Sequence, residues 1–285
     1  MIDDPYYEVR QAAAEQISRD RAAHGLGPVE LDPLASQVGD RHCQEMSGRG
    51  FLSHWNLHGL LPYQRYHLAG GREHVQENLS RVSIFSLDPA PIATPPAEIL
   101  KLLLQSHQRF MEEKPPLDGH RRNLLKPGHT HVGIGFGVVG GEFTFAELFL
   151  NRFARIGELP QELPKGQVRV EGEMLRKEFG PYYGVLFFEG TPRPRTVSEL
   201  ERTYSYSDME GEIVGNAPPW TMRFERSSGR FRFSLRFRDR GPGYYHLVLW
   251  IRDDVRSIPY SLPFSGTAHV DTKDAVPTAG WLFLR

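Results

Sequence analysis

Apolar positions recur at helical spacing early in the chain. Val9, Ala13 and Ile17 fall about one turn apart, Asp4 and Pro5 stand where a cap and a first helical residue belong, and Gly25 and Gly27 follow, which predicts a helix over about residues 5–24. "LDPLASQVGDRHCQEMSGRG" repeats that grammar, with Asp32 as cap, Pro33 as start, a stripe of Leu34, Val38 and Met46, and a stop at Gly48 and Gly50. "DPAPIATPP", residues 88–96, is too rich in proline for helix or strand and is expected to be a surface excursion. "AEILKLLLQSHQRFMEE" then presents a helical apolar face of Ile99, Leu102, Leu103 and Phe110, ended by Pro115 and Pro116. In "HVGIGFGVVGGEFTFAELFLNRF" the period falls to two, and two strand-like runs flank Gly140 and Gly141 as a hairpin. Helices followed by strands indicate an α+β unit.

The second half reads differently. "ELPQELPKGQ" is polar and carries two prolines, as a linker does. Beyond it "VRVEGEML", "YYGVLFFEG", "TMRFER", "RFRFSLRFR", "YYHLVLWIR" and "TAHVD" are short runs of period two or continuous apolar character, split by Gly, Pro, Asn and Asp. They predict an all-β, immunoglobulin-like sandwich. The expected organisation is a first domain over 1–157, a linker over 158–167 and the β-sandwich over 168–285. In "RFRFSLRFR" Phe231, Phe233, Leu235 and Phe237 alternate with Arg230, Arg232, Arg236 and Arg238. The arginine row reads either as a polyanion-binding face or as a solvated face with acids across the sheet. Trp220, Trp250 and Trp281 are expected in the core or at a domain interface.

Composition narrows the function classes. A chain of 285 residues suits two domains, and its 39% hydrophobic and 24% charged residues describe a folded globular protein. Lys and Arg number 34 against 35 Asp and Glu, so the net charge of -1 gives no global attraction to nucleic acid or anionic membrane. No apolar run approaches the roughly 18 residues of a membrane-spanning helix. The start "MIDDPYYEVRQAAAEQ" lacks the basic and apolar segments of a secretory leader, so the expectation is either an intracellular protein or a mature chain whose leader has been removed. The single cysteine, Cys43, falls inside a helical pattern and reads as a small buried apolar group. There is no G-x-S-x-G around a serine, and "GIGFG" is not followed by a helix, which argues against a serine hydrolase of that type and against dinucleotide binding.

Histidines hold the candidate chemistry. In "FLSHWNLHGL" His54 and His58 stand four apart and would share one face of a helix as a ligand pair, but Gly59 and Pro62 argue for a turn. Ser53 beside His54 is sequence adjacency and gives no triad geometry. "GHTHVG" puts His129 and His131 two apart, either as a metal pair or as packing histidines at a strand opening.

The order of short motifs resembles a known family. "LDPLASQVGDRHCQEMSGRGFLSH", "HGLLPYQRYHLAGG", "QENLS", "GHRRNLL" and "THVGIGFG" are similar in order and spacing to the CAP superfamily, the cysteine-rich secretory, antigen 5 and pathogenesis-related proteins, and most to its bacterial SCP-like branch. The resemblance covers about residues 5–153 and implies an α-β-α sandwich with a cleft of two histidines and two acids. Carried over by motif, these are His54, Glu77, His120 and Glu113, with Glu112 as the alternative to Glu113. Asn78 is expected to fix the direction of Glu77, and Arg65 to bind several carbonyls structurally. Glu147 stands in "FAELF" where the family has Gln, as an added carboxylate that either joins the cleft or faces water.

Neutral imidazoles and carboxylates converging in a cleft suit a divalent metal such as zinc, with His54 and His120 as the ligands. The resemblance implies export, so an extracellular or periplasmic location is expected, with a small ligand or a cell-envelope component as partner. The first functional expectation is a non-enzymatic binding module with the β-sandwich used for attachment. A metal-dependent hydrolase acting on peptides or cell wall, with Glu77 or Glu113 as general base, is the second. Apolar-ligand (lipid) binding in the helical layer is the third.

Overall fold

The glycines of "GIGFG" decide how the first half packs. A Cβ on Gly133, Gly135 or Gly137 would lie 2.4 to 2.7 Å from backbone at Ala35, Gly39 and Cys43, three positions one helical turn apart. Alternate residues of one strand are therefore bare so that a helix can lie directly on it, while Val132, Ile134 and Phe136 fill the other face. The computed structural model describes residues 4–84, 94–203, 205–207, 209, 211–253 and 274–285.

In chain order the first half holds α1 (Tyr7–Ala23), β1 (Glu30–Leu31), α2 (Pro33–Arg49), α3 (Pro62–Leu68), β2 (His74–Ser83), α4 (Pro96–Glu112), α5 (Gly119–Leu124), β3 (His131–Val139) and β4 (Glu142–Asn151). The strands form one sheet in the order β1-β3-β4-β2. α1 and α4 bury Val9, Ile17, Leu103 and Phe110 with Phe143, Phe145 and Phe149 on one side of it. α2 and α3 bury Val38, Met46, Tyr63 and Tyr66 with Ala146, Leu148, Val75 and Leu79 on the other. The unit is thus α+β, two helical layers around a sheet, and odd and even residues of each strand serve different layers.

Local chemistry sets the ends of these elements. Asp32 accepts the Ala35 N–H at 2.7 Å and Pro33 opens α2, while Gly50, at φ +76°, closes it. Asp4 does not cap α1 as expected: its carboxylate accepts from Tyr6 N at 3.0 Å and from Arg10 Nε at 2.7 Å, and the helix starts only at Tyr7. Val139 pairs with Glu142 across Gly140 and Gly141, both at positive φ, which makes the two-residue hairpin. Of "DPAPIATPP", residues 88–93 lie outside the described residues.

The second half contributes β5 (Ala154–Ile156), β6 (Gln167–Met174), β7 (Gly180–Glu189), α6 (Val197–Leu200), β8 (Glu212–Ala217), β9 (Arg223–Glu225), β10 (Arg230–Phe237), β11 (Tyr244–Arg252) and β12 (Val276–Leu284). Seven of the strands follow one hydrogen-bonded path, β12-β11-β7-β8-β10-β6-β5, and β9 joins β10 beside it. Because β10 pairs with β8 as well as β6, this ladder does not divide into the two sheets of an immunoglobulin-like sandwich among the described residues. The strand expected at "TAHVD" lies outside the described residues. Phe231, Phe233 and Leu235 enter the core, and Arg230 and Arg232 stand opposite Glu173 and Glu171 of β6, so acids meet part of the arginine row. Trp250 and Trp281 are buried, whereas Trp220 is 37% exposed.

The chain separates into two compact units. The first comprises the described residues up to Gly71, Val75–Leu150 and Arg193–Tyr206; the second comprises Arg72–His74, Asn151–Pro192 and the described residues from Ser207 onward.

Candidate functional site

His54 lies in the loop between α2 and α3, and its position is fixed from two helices. His42 of α2 donates from Nε2 to the Ser53 carbonyl at 2.8 Å, and Arg65 of α3 donates to the His54 and Leu60 carbonyls at 2.5 and 3.0 Å. Burial pushes the His42 pKa down to about 3, so this support is a neutral imidazole. The His54 ring donates from Nδ1 to Glu77 Oε1 at 2.9 Å, and Arg65 holds Glu77 Oε2 at 2.5 Å. The Glu77 side chain is fully covered. Burial alone would raise its pKa, but the Arg65 charge and the His54 bond outweigh burial and hold the group at about 2.

A second pair forms at the C-terminal end of α4. Glu113 follows the last residue of that helix and receives three donors: His120 Nδ1 at 2.5 Å, His120 N at 3.0 Å and Arg121 N at 3.3 Å. Its neighbour Glu112 instead accepts from Gln108 on the exposed side of α4. Of the two acids, Glu113 is the one bonded to His120. The His120 ring stacks on Phe110 with centroids 4.5 Å apart. This half is more open, with the His120 side chain 35% exposed against 11% for His54.

Asn78, next to Glu77 in β2, joins the backbone of the second pair to a buried network. Adjacent strand residues point to opposite faces, so Glu77 joins the α2–α3 layer while Asn78 reaches toward α5. Asn78 Nδ2 donates to the His120 carbonyl at 3.2 Å and to Glu147 Oε2 at 3.0 Å, and its Oδ1 accepts from Asn123 at 2.9 Å. Glu147 neither opens to water nor stands alone: it is fully buried, and its Oε1 accepts from His107 Nδ1 at 2.7 Å. His107 Nε2 reaches Asp20 at 3.0 Å. Burial disfavours charge on His107, yet the two carboxylates outweigh it and raise its pKa.

A family description covering "Cysteine-rich secretory protein family", CAP for short, matches residues 14–149. Residues 14–149 are a CAP domain. Among curated proteins, the uncharacterized protein YkwD of Bacillus subtilis (strain 168) is 23% identical over 131 residues, 46% of this chain. The match spans 43% of that relative, less than half its length. Among solved structures, an extracellular protein containing an SCP domain from Bacillus anthracis str. Ames is 19% identical with a TM-score of 0.36, over 51% of this chain and 41% of that one. An outer surface protein from Borrelia burgdorferi is 18% identical with a TM-score of 0.39, over 51% of this chain and 94% of that one.

Within the CAP domain, the other histidine pairs of the sequence do not assemble. His58 is exposed in a turn before Gly59, whose φ is +78°. His129 is buried against Phe149 and contacts the Asn123 carbonyl, while His131 pairs with Thr130. Cys43 is buried, and burial pushes its thiol pKa well up. His107 is the site neighbour that sequence reasoning missed; its signal was a histidine on the apolar face of α4, one turn before Met111 and Phe110.

The metal implied by the CAP resemblance has two candidate donor atoms in this chain, one in each bonded pair. With Nδ1 held by a carboxylate, His54 and His120 each present Nε2, as metal histidines oriented by a carboxylate do. Glu77 does not fit as a ligand, because His54 and Arg65 engage both of its oxygens. Both Glu113 oxygens are likewise engaged. Among the described residues no three His, Cys, Asp or Glu side chains group as ligands of one ion.

Proposed function

We propose that the CAP domain is a binding module of the cell exterior or periplasm, taking a divalent cation or a small polar ligand at the Nε2 atoms of His54 and His120, with the β unit used for attachment to an extracellular or envelope component. The carrying observation is that each imidazole is oriented through Nδ1 by a carboxylate that is itself fixed. Location outside the cytoplasm is supported by the secretory character that the family's description states. No helix among the described residues is long and apolar enough to cross a membrane.

Binding has more support than hydrolysis. A general base needs a lone pair aimed at a water, and the oxygens of Glu77 and Glu113 already accept protein donors. A carboxylate held at about 2, as Glu77 is, is also a weak base at neutral pH. Lipid carriage draws no specific support, since the cavity of about 270 Å³ beside α2 and α3 mixes Val38, Leu60, Leu68 and Ala69 with Arg41, His42, Glu45, Asn56 and Arg65. Zinc titration of the full chain at neutral pH, followed on the imidazole ¹⁵N resonances, is expected to move the Nε2 signals of His120 and His54, and His120→Ala is expected to weaken the response. Silence at both rings overturns the cation reading.

A further inference from the structure

Residues 193–206 lie between β7 and β8 in sequence, more than forty positions past the end of the matched CAP segment, yet they pack with the CAP domain. Their anchoring is extensive. Arg195 N donates to the Leu57 carbonyl at 2.8 Å and its guanidinium stacks over Trp55 at 4.8 Å. Thr196 caps α6 with a reciprocal bond to Glu199, and this short helix delivers Leu200, fully buried, into the layer of α2 and α3. The Thr203 hydroxyl donates to the Leu200 carbonyl at 2.6 Å, so in its 2.7 Å contact with Ser53 it accepts from the serine.

The segment ends on the site. The Tyr206 ring lies 4.4 Å from the His54 ring, tilted by 47°, and the Tyr206 hydroxyl accepts the Glu77 backbone N–H at 2.9 Å. One side chain thus touches both members of the pair, while Thr203 holds the residue before His54.

We infer that the described residues of 193–206 form a strap belonging to the His54–Glu77 site, with Tyr206 a positioning residue that covers the imidazole and fixes the Glu77 backbone. The inference deepens the binding reading above and rests on it for the role of His54, but its geometry is independent of any ligand. It makes the two halves of the site unequal: His120 meets solvent directly, and His54 becomes fully accessible only when Tyr206 moves aside. A ligand that engages both rings must displace the tyrosine ring or stack on it.

Carbethoxylation of the full chain by diethyl pyrocarbonate, mapped by peptide mass, tests this. In the unaltered protein His54 is expected to react roughly tenfold more slowly than His120, as a group that needs local opening does. Tyr206→Ala is expected to bring His54 up to the His120 rate and leave His120 unchanged, whereas Tyr206→Phe, which keeps the ring, preserves the protection. The buried His42 reports global opening; if it reacts in Tyr206→Ala, Thr203→Val, which removes the Thr203 bonds to Ser53 and Leu200 and keeps the Tyr206 ring, is read in its place, with a partial rise at His54 expected. Equal rates at His54 and His120 in the unaltered protein, or a protected His54 in both Tyr206→Ala and Thr203→Val, overturn the strap. Absent zinc shifts with His54 still shielded overturn the binding reading and leave the strap standing.

Discussion

Gly39 of α2 and Gly135 of β3 face each other so closely that a Cβ on Gly135 would sit 2.5 Å from the Gly39 Cα. No side chain can yield there, because both surfaces are backbone. Gly135→Ala is therefore expected to destabilise the CAP domain by about 3 kcal/mol, the upper range of overpacking, measured by urea unfolding. Gly140→Ala, in open space at φ +58°, is the control and should cost about 1 kcal/mol through its backbone angle alone.

Arg21 binds four carbonyls from inside the protein. It is fully buried in α1 and donates to Gly27, Leu124, Lys126 and His129 at 2.7 to 3.2 Å, joining the ends of α1 and α5 to the start of β3. Burial lowers its pKa to about 10, which still leaves it charged at neutral pH. Arg21→Met leaves buried acceptors without donors and is expected to cost about 3–5 kcal/mol, read by thermal or urea unfolding.

His107 gives stability a pH dependence. Its folded-state pKa is raised above the ordinary 6.5 by Glu147 and Asp20 against the opposing effect of burial. The protonated ring therefore stabilises the fold fully below about 6.5, and that contribution disappears as pH rises through the raised value. Urea midpoints are expected to fall from pH 6 to pH 8 in the unaltered protein, with this part of the slope absent in His107→Gln. Equal slopes in the two proteins would rule out the buried ring as its source.

Arg65 and Glu77 behave oppositely in acid. With the Glu77 pKa held at about 2, below the ordinary 4.5, the pair stabilises above 4.5 and loses that contribution as pH falls through about 2. Arg65→Met removes the main compensation for a buried carboxylate and is expected to cost about 3–5 kcal/mol. It should also raise the Glu77 pKa, which a ¹³C carboxyl titration measures.

The sequence made the first half legible because its elements are written locally. Asp32-Pro33 and Gly50 bracket α2, and Gly140-Gly141 marks the hairpin by needing two positive φ angles. The motif order led to His54, Glu77, Glu113 and His120, and in the structure they form two bonded pairs. That Glu113 and not Glu112 bonds His120 was not legible, since it depends on which residue ends α4. Nor was the partnership of His107 and Glu147, forty positions apart on different elements, or that of His54 with Tyr206. Period-two strands likewise announced an all-β second half but not its pairing, because alternation assigns faces and says nothing of which strand lies beside which.

The chain passes between its units after Gly71, after His74, after Leu150, after Pro192 and after Tyr206. A protein threaded in this way has no single point at which it can be divided into two exchangeable cassettes. Fusion of residues 14–149 to another partner would carry the motifs of the family but leave Leu200, Thr203 and Tyr206 behind. A cassette cut at those boundaries would lack the side chains that stand against Ser53, His54 and Glu77.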